Sequence, residues 1–362
     1  MSESMSKPAP VRVAATALHD FAAMLFERAG LSAPHAATVA KALVWADLRG
    51  VGTHGVSRLP RYLDFIASGA MNPSPAMSIA IDAPAMLLLD ADRAAGPVAM
   101  MHACTLAADR ARVNGIGLVM VRGTTHTAAL GYYTQHLARQ GLAGVAIAAS
   151  SPLMAYHGAR AAGVSTAPLS LAVPGGPDSH AEPVLFDMAT GIVSNGKLMQ
   201  AKRLNEALQP GWALDAEGNA TTDPQKATTP LPLGGPKGSG LALLIEMLAS
   251  ITTGAPILAE FLTGGEKRHR QNAWVIAVDV FRFSPEAQFR ADVARTVAAI
   301  RTLPVDAQIG AILMPGERGA REAEKRQRDG VPLPAKVAGE LAAAAGKWQL
   351  ELPWADGEPL RQ

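Results

Sequence analysis

The 362-residue chain contains a single cysteine, Cys104, so no intrachain disulfide can form and no thiolate cluster can hold a metal. Set among Met101, Leu106 and Ala107 in an apolar helical pattern, Cys104 reads as buried filler. The nine histidines show neither H-x-x-x-H nor H-E-x-x-H, which leaves no expected metal site. No G-x-S-x-G is present, which disfavours a serine hydrolase. No G-x-G-x-x-G leaves a predicted strand, because Gly115-Ile116-Gly117 precedes its strand, and a Rossmann site is disfavoured. Excess charge is lacking too: 33 basic against 31 acidic residues give a net charge of +2, no field for nucleic acid or an anionic membrane. Glu246 interrupts the most apolar helix before it reaches spanning length, and Met1 to Pro8 carry no signal-peptide core. The cytoplasm is the default expectation.

What is present is ordinary globular material, with 49% hydrophobic and 18% charged residues. The length exceeds one hydrophobic core and predicts two domains. After a polar leader at 1–10 and a short strand at Val11 to Val13, helices are predicted at 15–29, 34–50 and 57–68. Ser32 is the expected N-cap of the second. A proline-interrupted stretch from Met71 to Met77 then marks a boundary. Short apolar runs at 85–89, 117–121, 144–148, 169–173, 184–188 and 273–280 read as strands, with helices at 97–113 and 130–139. Because 169–173 and 184–188 follow one another without a helix, antiparallel pairing is expected in a mixed sheet. The expected organisation is a helical N-terminal part at 1–75, an α/β domain at 76–290 and a helical segment at 291–362 returning to the first domain. Residues 200–230 read as a long loop or arm. Basic residues cluster at 266–270, read as a solvated loop with contact to a cofactor phosphate as the alternative, and at 321–328, where Glu322 and Glu324 make a salt-bridged helix face.

Three places could carry chemistry. His54, Arg58 and Tyr62 recur at intervals of four, a spacing that would set an imidazole, a guanidinium and a phenol on one helix face. Such groups can pass a proton, grip a carboxylate and position a carbonyl oxygen. The bland alternative makes His54 a turn cap, Arg58 a solvated cation and Tyr62 core. A glycine-rich loop, Gly234-Gly235-Pro236-Lys237-Gly238-Ser239-Gly240, feeds a helix whose free amides, with Lys237, would favour an anion; a tight packed turn is the alternative. Asp187 ends the strand 184–188, where a carboxylate can bind ribose, orient a histidine or cap the next helix.

Taken together, several motifs resemble the malate/L-lactate dehydrogenase family, a non-Rossmann group of NAD(P)-dependent oxidoreductases. The resemblance runs from Val11 to about Leu333. Its carriers are Asp47-Leu48-Arg49-Gly50-Val51-Gly52-Thr53-His54-Gly55, His126 to Tyr133, Phe186-Asp187-Met188-Ala189-Thr190, Pro236-Lys237-Gly238-Ser239-Gly240-Leu241 and Met314-Pro315-Gly316-Glu317-Arg318. It implies catalytic roles for His54 and His126, and a substrate site at Arg58 with Thr53 and Tyr62. Cofactor contacts are implied at Thr166, Asp187, Met188, Ala189, Pro236, Lys237, Gly316, Glu317 and Arg318. The implied fold is a homodimer of two-domain subunits, each binding NAD or NADP without a dinucleotide fold. The implied substrate is a small carboxylate, either a 2-oxo acid or a cyclic imino acid.

The chain departs from the family pattern at Ser165-Thr166-Ala167-Pro168, where Gly-Thr-Asn-Pro is usual, which removes an amide side chain. Thr127 stands where phenylalanine is frequent, and Pro236 and Ser239 replace common tyrosines. Two rival readings remain open at this stage. One is a binding module that no longer turns over substrate; the other is an enzyme that uses the Lys237 loop for a substrate phosphate without a nicotinamide.

Overall fold

The computed structural model describes residues 11–177, 181–265 and 269–354. The polar leader at 1–10 and most of the basic loop at 266–270 lie outside the described residues. The chain divides into two compact units, one holding the described residues up to Ser74 and from Arg318 onward, the other Pro75–Glu317. The helix Glu286–Arg301, expected in the C-terminal return, therefore belongs to the second unit.

The first unit is helical. Helices Ala15–Arg28, Ala33–Leu48 and Leu59–Ala67 are joined by the returning Glu317–Asp329 and Ala335–Gly346. Strand Val11–Val13 pairs antiparallel with Val331–Leu333, which fastens the two ends of the unit together. Leu18, Phe21, Leu25, Phe26, Leu43 and Leu59 fill the core at helical spacing. Ser32 stands at the N-cap position, but its side chain makes no capping bond there. On Glu317–Asp329 the predicted ion-pair face is present, with Arg326 Nε on Glu322 Oε1 at 2.5 Å.

The second unit is built on a seven-stranded mixed sheet in the order 78–83, 86–90, 116–124, 271–278, 143–150, 169–173, 184–188. Only the pair Met86–Asp90 with Ile116–Thr124 is parallel; helix Gly96–Asn114 makes the crossover. All other neighbours in this sheet are antiparallel, including Leu169–Val173 with Val184–Met188, in register Leu169 to Met188. Helices cover both faces. Gly144 faces Leu137 of Gly131–Arg139, whereas Ile147 and Ala149 pack with Ala242 and Ile245 of Pro236–Glu246.

Residues 200–230 are not a bare arm. Helix Asn195–Leu204 starts at Ser194, whose hydroxyl accepts the Lys197 amide hydrogen, and three two-residue strands follow. Val193, Leu198, Ala201, Leu208 and Ala213 form a small core of their own. So few apolar positions over so many residues leave little periodicity in the sequence.

Candidate active site

In the first unit, helix Ala33–Leu48 ends at Gly50, which takes a left-handed φ of 78°. Two short 3₁₀ turns follow, Gly52–His54 and Val56–Arg58, separated by an extended Gly55. The even ladder inferred from spacing is thus broken at Gly55: of the three, Tyr62 alone lies in the helix Leu59–Ala67, and Arg58 stands at its N-cap. His54 and Arg58 are nevertheless held close, because Arg58 Nε donates to the Thr53 carbonyl at 2.6 Å and Thr53 Oγ1 lies 3.0 Å from His54 Nδ1.

What folds this turn is Asp47, a residue that motif reading quotes but assigns no role. Its buried carboxylate accepts the Val56 amide hydrogen at 2.7 Å, while Arg326 Nη1 donates to its backbone carbonyl at 2.7 Å. Gly55 lies so close to that carboxylate that a Cβ would fall 1.9 Å from Oδ1. Burial pushes the Asp47 carboxyl up to about 7, against the opposing pull of the Val56 amide and the Arg326 charge. His54 is pushed down to about 4, first by burial and then by the cationic Arg58. It is therefore neutral at pH 7. Burial also lowers Arg58, partly offset by the neighbouring Tyr62. Tyr62 itself is core: its ring is fully buried with those of Phe26 and Phe65 at 6.2 and 6.3 Å.

In the second unit, His126 sits on an irregular segment clamped from several sides. Thr124 and Thr125 hydroxyls both donate to the Ala94 carbonyl at 3.1 Å. Gln271 Oε1 accepts from the amide and the hydroxyl of Thr127 at 3.1 and 3.2 Å, and Tyr133 Oη donates to the Thr127 carbonyl at 2.5 Å. Gly96 is required here, since a Cβ would lie 2.2 Å from the His126 carbonyl oxygen. Gln271 is 144 positions from Thr127, beyond the reach of any local motif.

Most residues expected at the cofactor are knitted into one region of this unit. Asp187 Oδ2 accepts the Gly131 amide hydrogen at 2.8 Å and so caps the helix that follows His126, a different helix from the one expected. Thr190 donates both its amide and its hydroxyl to the Thr166 carbonyl at 2.9 Å, and its own carbonyl accepts from Leu233 at 2.9 Å. Leu233 in turn accepts the Gly238 amide hydrogen at 2.8 Å. Thus Thr166, the strand end Asp187–Ala189 and the Pro236–Lys237 turn are drawn together. Pro315 accepts the Leu185 amide hydrogen at 3.2 Å, which lays the 314–317 turn against the same strand. Glu317 is held by Arg301 and the Met314 amide, and Arg318 falls in the first unit.

The expected cradle of free amides at Pro236 is absent. Pro236 has no N–H, and the amides of Lys237, Gly238 and Ser239 donate to Gly234, Leu233 and Gly235. Attraction for an anion rests on the exposed Lys237 ammonium. Gly240, inside the helix, has nothing within 4 Å of where its Cβ would be, so its backbone is open to close approach. At the altered segment, buried Ala167 takes φ of 27° and its amide donates to Ser165 Oγ at 3.2 Å.

The model of the malate/L-lactate dehydrogenase family matches residues 13–342. The chain belongs to this family. It is 33% identical over 341 residues to a malate dehydrogenase of Pyrococcus abyssi, covering 91% of this chain and 93% of that one. A Δ1-pyrroline-2-carboxylate/Δ1-piperideine-2-carboxylate reductase of Pseudomonas putida is 30% identical over 326 residues, 89% of this chain and 94% of its own. Among solved structures, malate dehydrogenase from Pyrococcus horikoshii OT3 superimposes with a TM-score of 0.86 at 31% identity, covering 97% and 99% of the two chains. Relatives of nearly equal identity thus act on different bonds, so family membership does not select the substrate.

Proposed function

We propose that this chain is an NAD(P)-dependent oxidoreductase that interconverts a small 2-oxo acid and its 2-hydroxy acid. The observation that carries the reading is the pairing of Arg58 with His54 on one stiff double turn, a half-buried cation beside an imidazole that is neutral at pH 7. A guanidinium so placed suits a carboxylate, with two parallel hydrogen bonds fixing its plane. The nicotinamide, when bound, supplies or accepts the hydride at C2. Thr166, Asp187, Met188, Ala189, Pro236, Lys237, Gly316, Glu317 and Arg318 are the residues proposed to hold it. Within the second unit the hydrogen bonds that join Thr166, Thr190 and the Lys237 turn support that assignment.

In the reduction direction, Arg58 and Thr53 are proposed to orient the carboxylate, with catalytic roles proposed for His54 and for His126. Fully buried Tyr62 backs Arg58 and does not touch the substrate in this account. A homodimer is part of the proposal, as is the choice between NAD and NADP. No described helix is long and apolar enough to cross a membrane. Among the described residues, no group of three or more His, Cys, Asp or Glu is placed to hold a metal.

A cyclic imino acid is the second reading, favoured by the reductase among the relatives. Absorbance at 340 nm, followed with oxaloacetate, pyruvate, sulfopyruvate and a cyclic imino acid against NADH and NADPH, separates the two. Turnover of a 2-oxo acid alone supports the first reading, and turnover of the imino acid alone replaces it with the second.

A further inference from the structure

His126 is the residue whose ring geometry carries an assignment beyond family membership. The backbone amide of Ala128 donates to His126 Nδ1 at 3.3 Å. An amide N–H can only donate, so Nδ1 is an acceptor, and the ring hydrogen of the neutral imidazole sits on Nε2. The amide is aimed there by an unusual backbone: Ala128, buried and without the freedom of glycine, holds φ of 55°. That conformation is enforced from outside by Gln271 on Thr127, by Tyr133 on the Thr127 carbonyl and by Gly96 against the His126 carbonyl. A second proton, on Nδ1, would set donor against donor.

We infer that the Ala128 amide locks His126 as the Nε2–H tautomer, making it a hydrogen-bond donor to the C2 oxygen and not the source of that oxygen's proton. The role rests on the proposed dehydrogenase reading; the tautomer does not. In reduction, hydride bonds to C2, the C=O π pair moves to oxygen, and the charge there is met by Nε2–H. If His126 surrendered that hydrogen it would become an imidazolate, so the proton completing the alcohol comes from a water molecule, and the hydroxide left behind is neutralised by bulk solvent. In the reverse direction His126 positions the hydroxyl through the same donor.

Two measurements decide it. The full chain, labelled with ¹⁵N-histidine and assigned through His126→Gln, is examined by long-range ¹H–¹⁵N correlation at pH 7. An unprotonated Nδ1 with a protonated Nε2 supports the lock; a protonated Nδ1 overturns it, whether or not any substrate is turned over. For the role, His126→Ala should lose roughly 100-fold or more in kcat, the effect of removing one preorganised donor, while His126→Gln, which restores an N–H donor, should recover at least about tenfold of that. Equal inactivity of the two variants, with wild-type thermal stability and NADH binding, would overturn the donor role. Absence of wild-type turnover on every 2-oxo acid would remove the dehydrogenase reading, and with it the donor role, and leave the tautomer to the spectrum.

Discussion

The Asp47 carboxylate accepts the Val56 amide hydrogen at 2.7 Å, across the turn that carries His54 and precedes Arg58. One buried acid thereby sets the path of the backbone between the candidate proton-handling group and the candidate carboxylate anchor.

Stability should record that burial. Asp47 is raised from 3.8 to about 7, so the folded state holds a proton that the unfolded state has released over this range. Its contribution is most favourable below pH 4 and is lost as pH rises through 7. Asp47→Asn keeps an acceptor for Val56 and removes the charge. Relative to wild type, it should gain about 2.5 kcal/mol of unfolding free energy between pH 5 and pH 8. Urea denaturation at the two pH values measures this, and an unchanged difference would show that the carboxylate is not buried as described.

Gly55 and Gly240 should respond oppositely to alanine. At Gly55 the new Cβ would collide with the Asp47 carboxylate, so Gly55→Ala should destabilise the first unit and abolish turnover. At Gly240 the space is open, and Gly240→Ala should raise stability by about 1 kcal/mol while weakening NADH or NADPH binding. Thermal melts with and without cofactor test both. Unaltered cofactor affinity in Gly240→Ala would remove this helix from the cofactor's path.

Much of this was legible in the sequence because the deciding forces are local. Strand 184–188 and its partner 169–173 follow from short apolar runs without an intervening helix, and the C-terminal stop of helix 33–48 follows from Gly50. The broken ladder was not legible: a spacing of four suits a helix, but Gly55 is extended and the next amide, that of Val56, is bonded to the Asp47 carboxylate. Nor were the filled amides at Pro236, whose acceptors depend on the turn's detailed path, or Gln271, whose contact with Thr127 is set by the sheet order. Chemistry-bearing residue types were visible in the sequence; some of the groups that brace them, such as Arg326 on the Asp47 carbonyl and Gln271 on Thr127, come from distant elements.

The charge on Arg58 helps hold His54 near 4, after the larger effect of burial. Arg58→Ala should therefore move the His54 titration upward, though not fully to 6.5, and binding of a non-reducible carboxylate analogue to wild type should move it the same way. Histidine Cε1–H shifts followed against pH report both. No movement in either case would place Arg58 away from His54 in solution.

Arg58 should also govern substrate capture. Losing a charged, paired hydrogen bond of about 2 kcal/mol predicts a fall of roughly 30-fold in kcat/KM for Arg58→Ala, mainly through KM, with Arg58→Lys between it and wild type. A loss confined to kcat would assign Arg58 to the chemical step instead.

The central claim, that this chain moves a hydride between a reduced nicotinamide and C2 of a small carboxylate substrate, is tested most directly by absorbance at 340 nm. With purified full-length protein, NADH or NADPH, and each 2-oxo acid in turn, the account predicts protein-dependent loss of absorbance that Arg58→Ala strongly reduces. No loss with any 2-oxo or imino acid against either nicotinamide would contradict it.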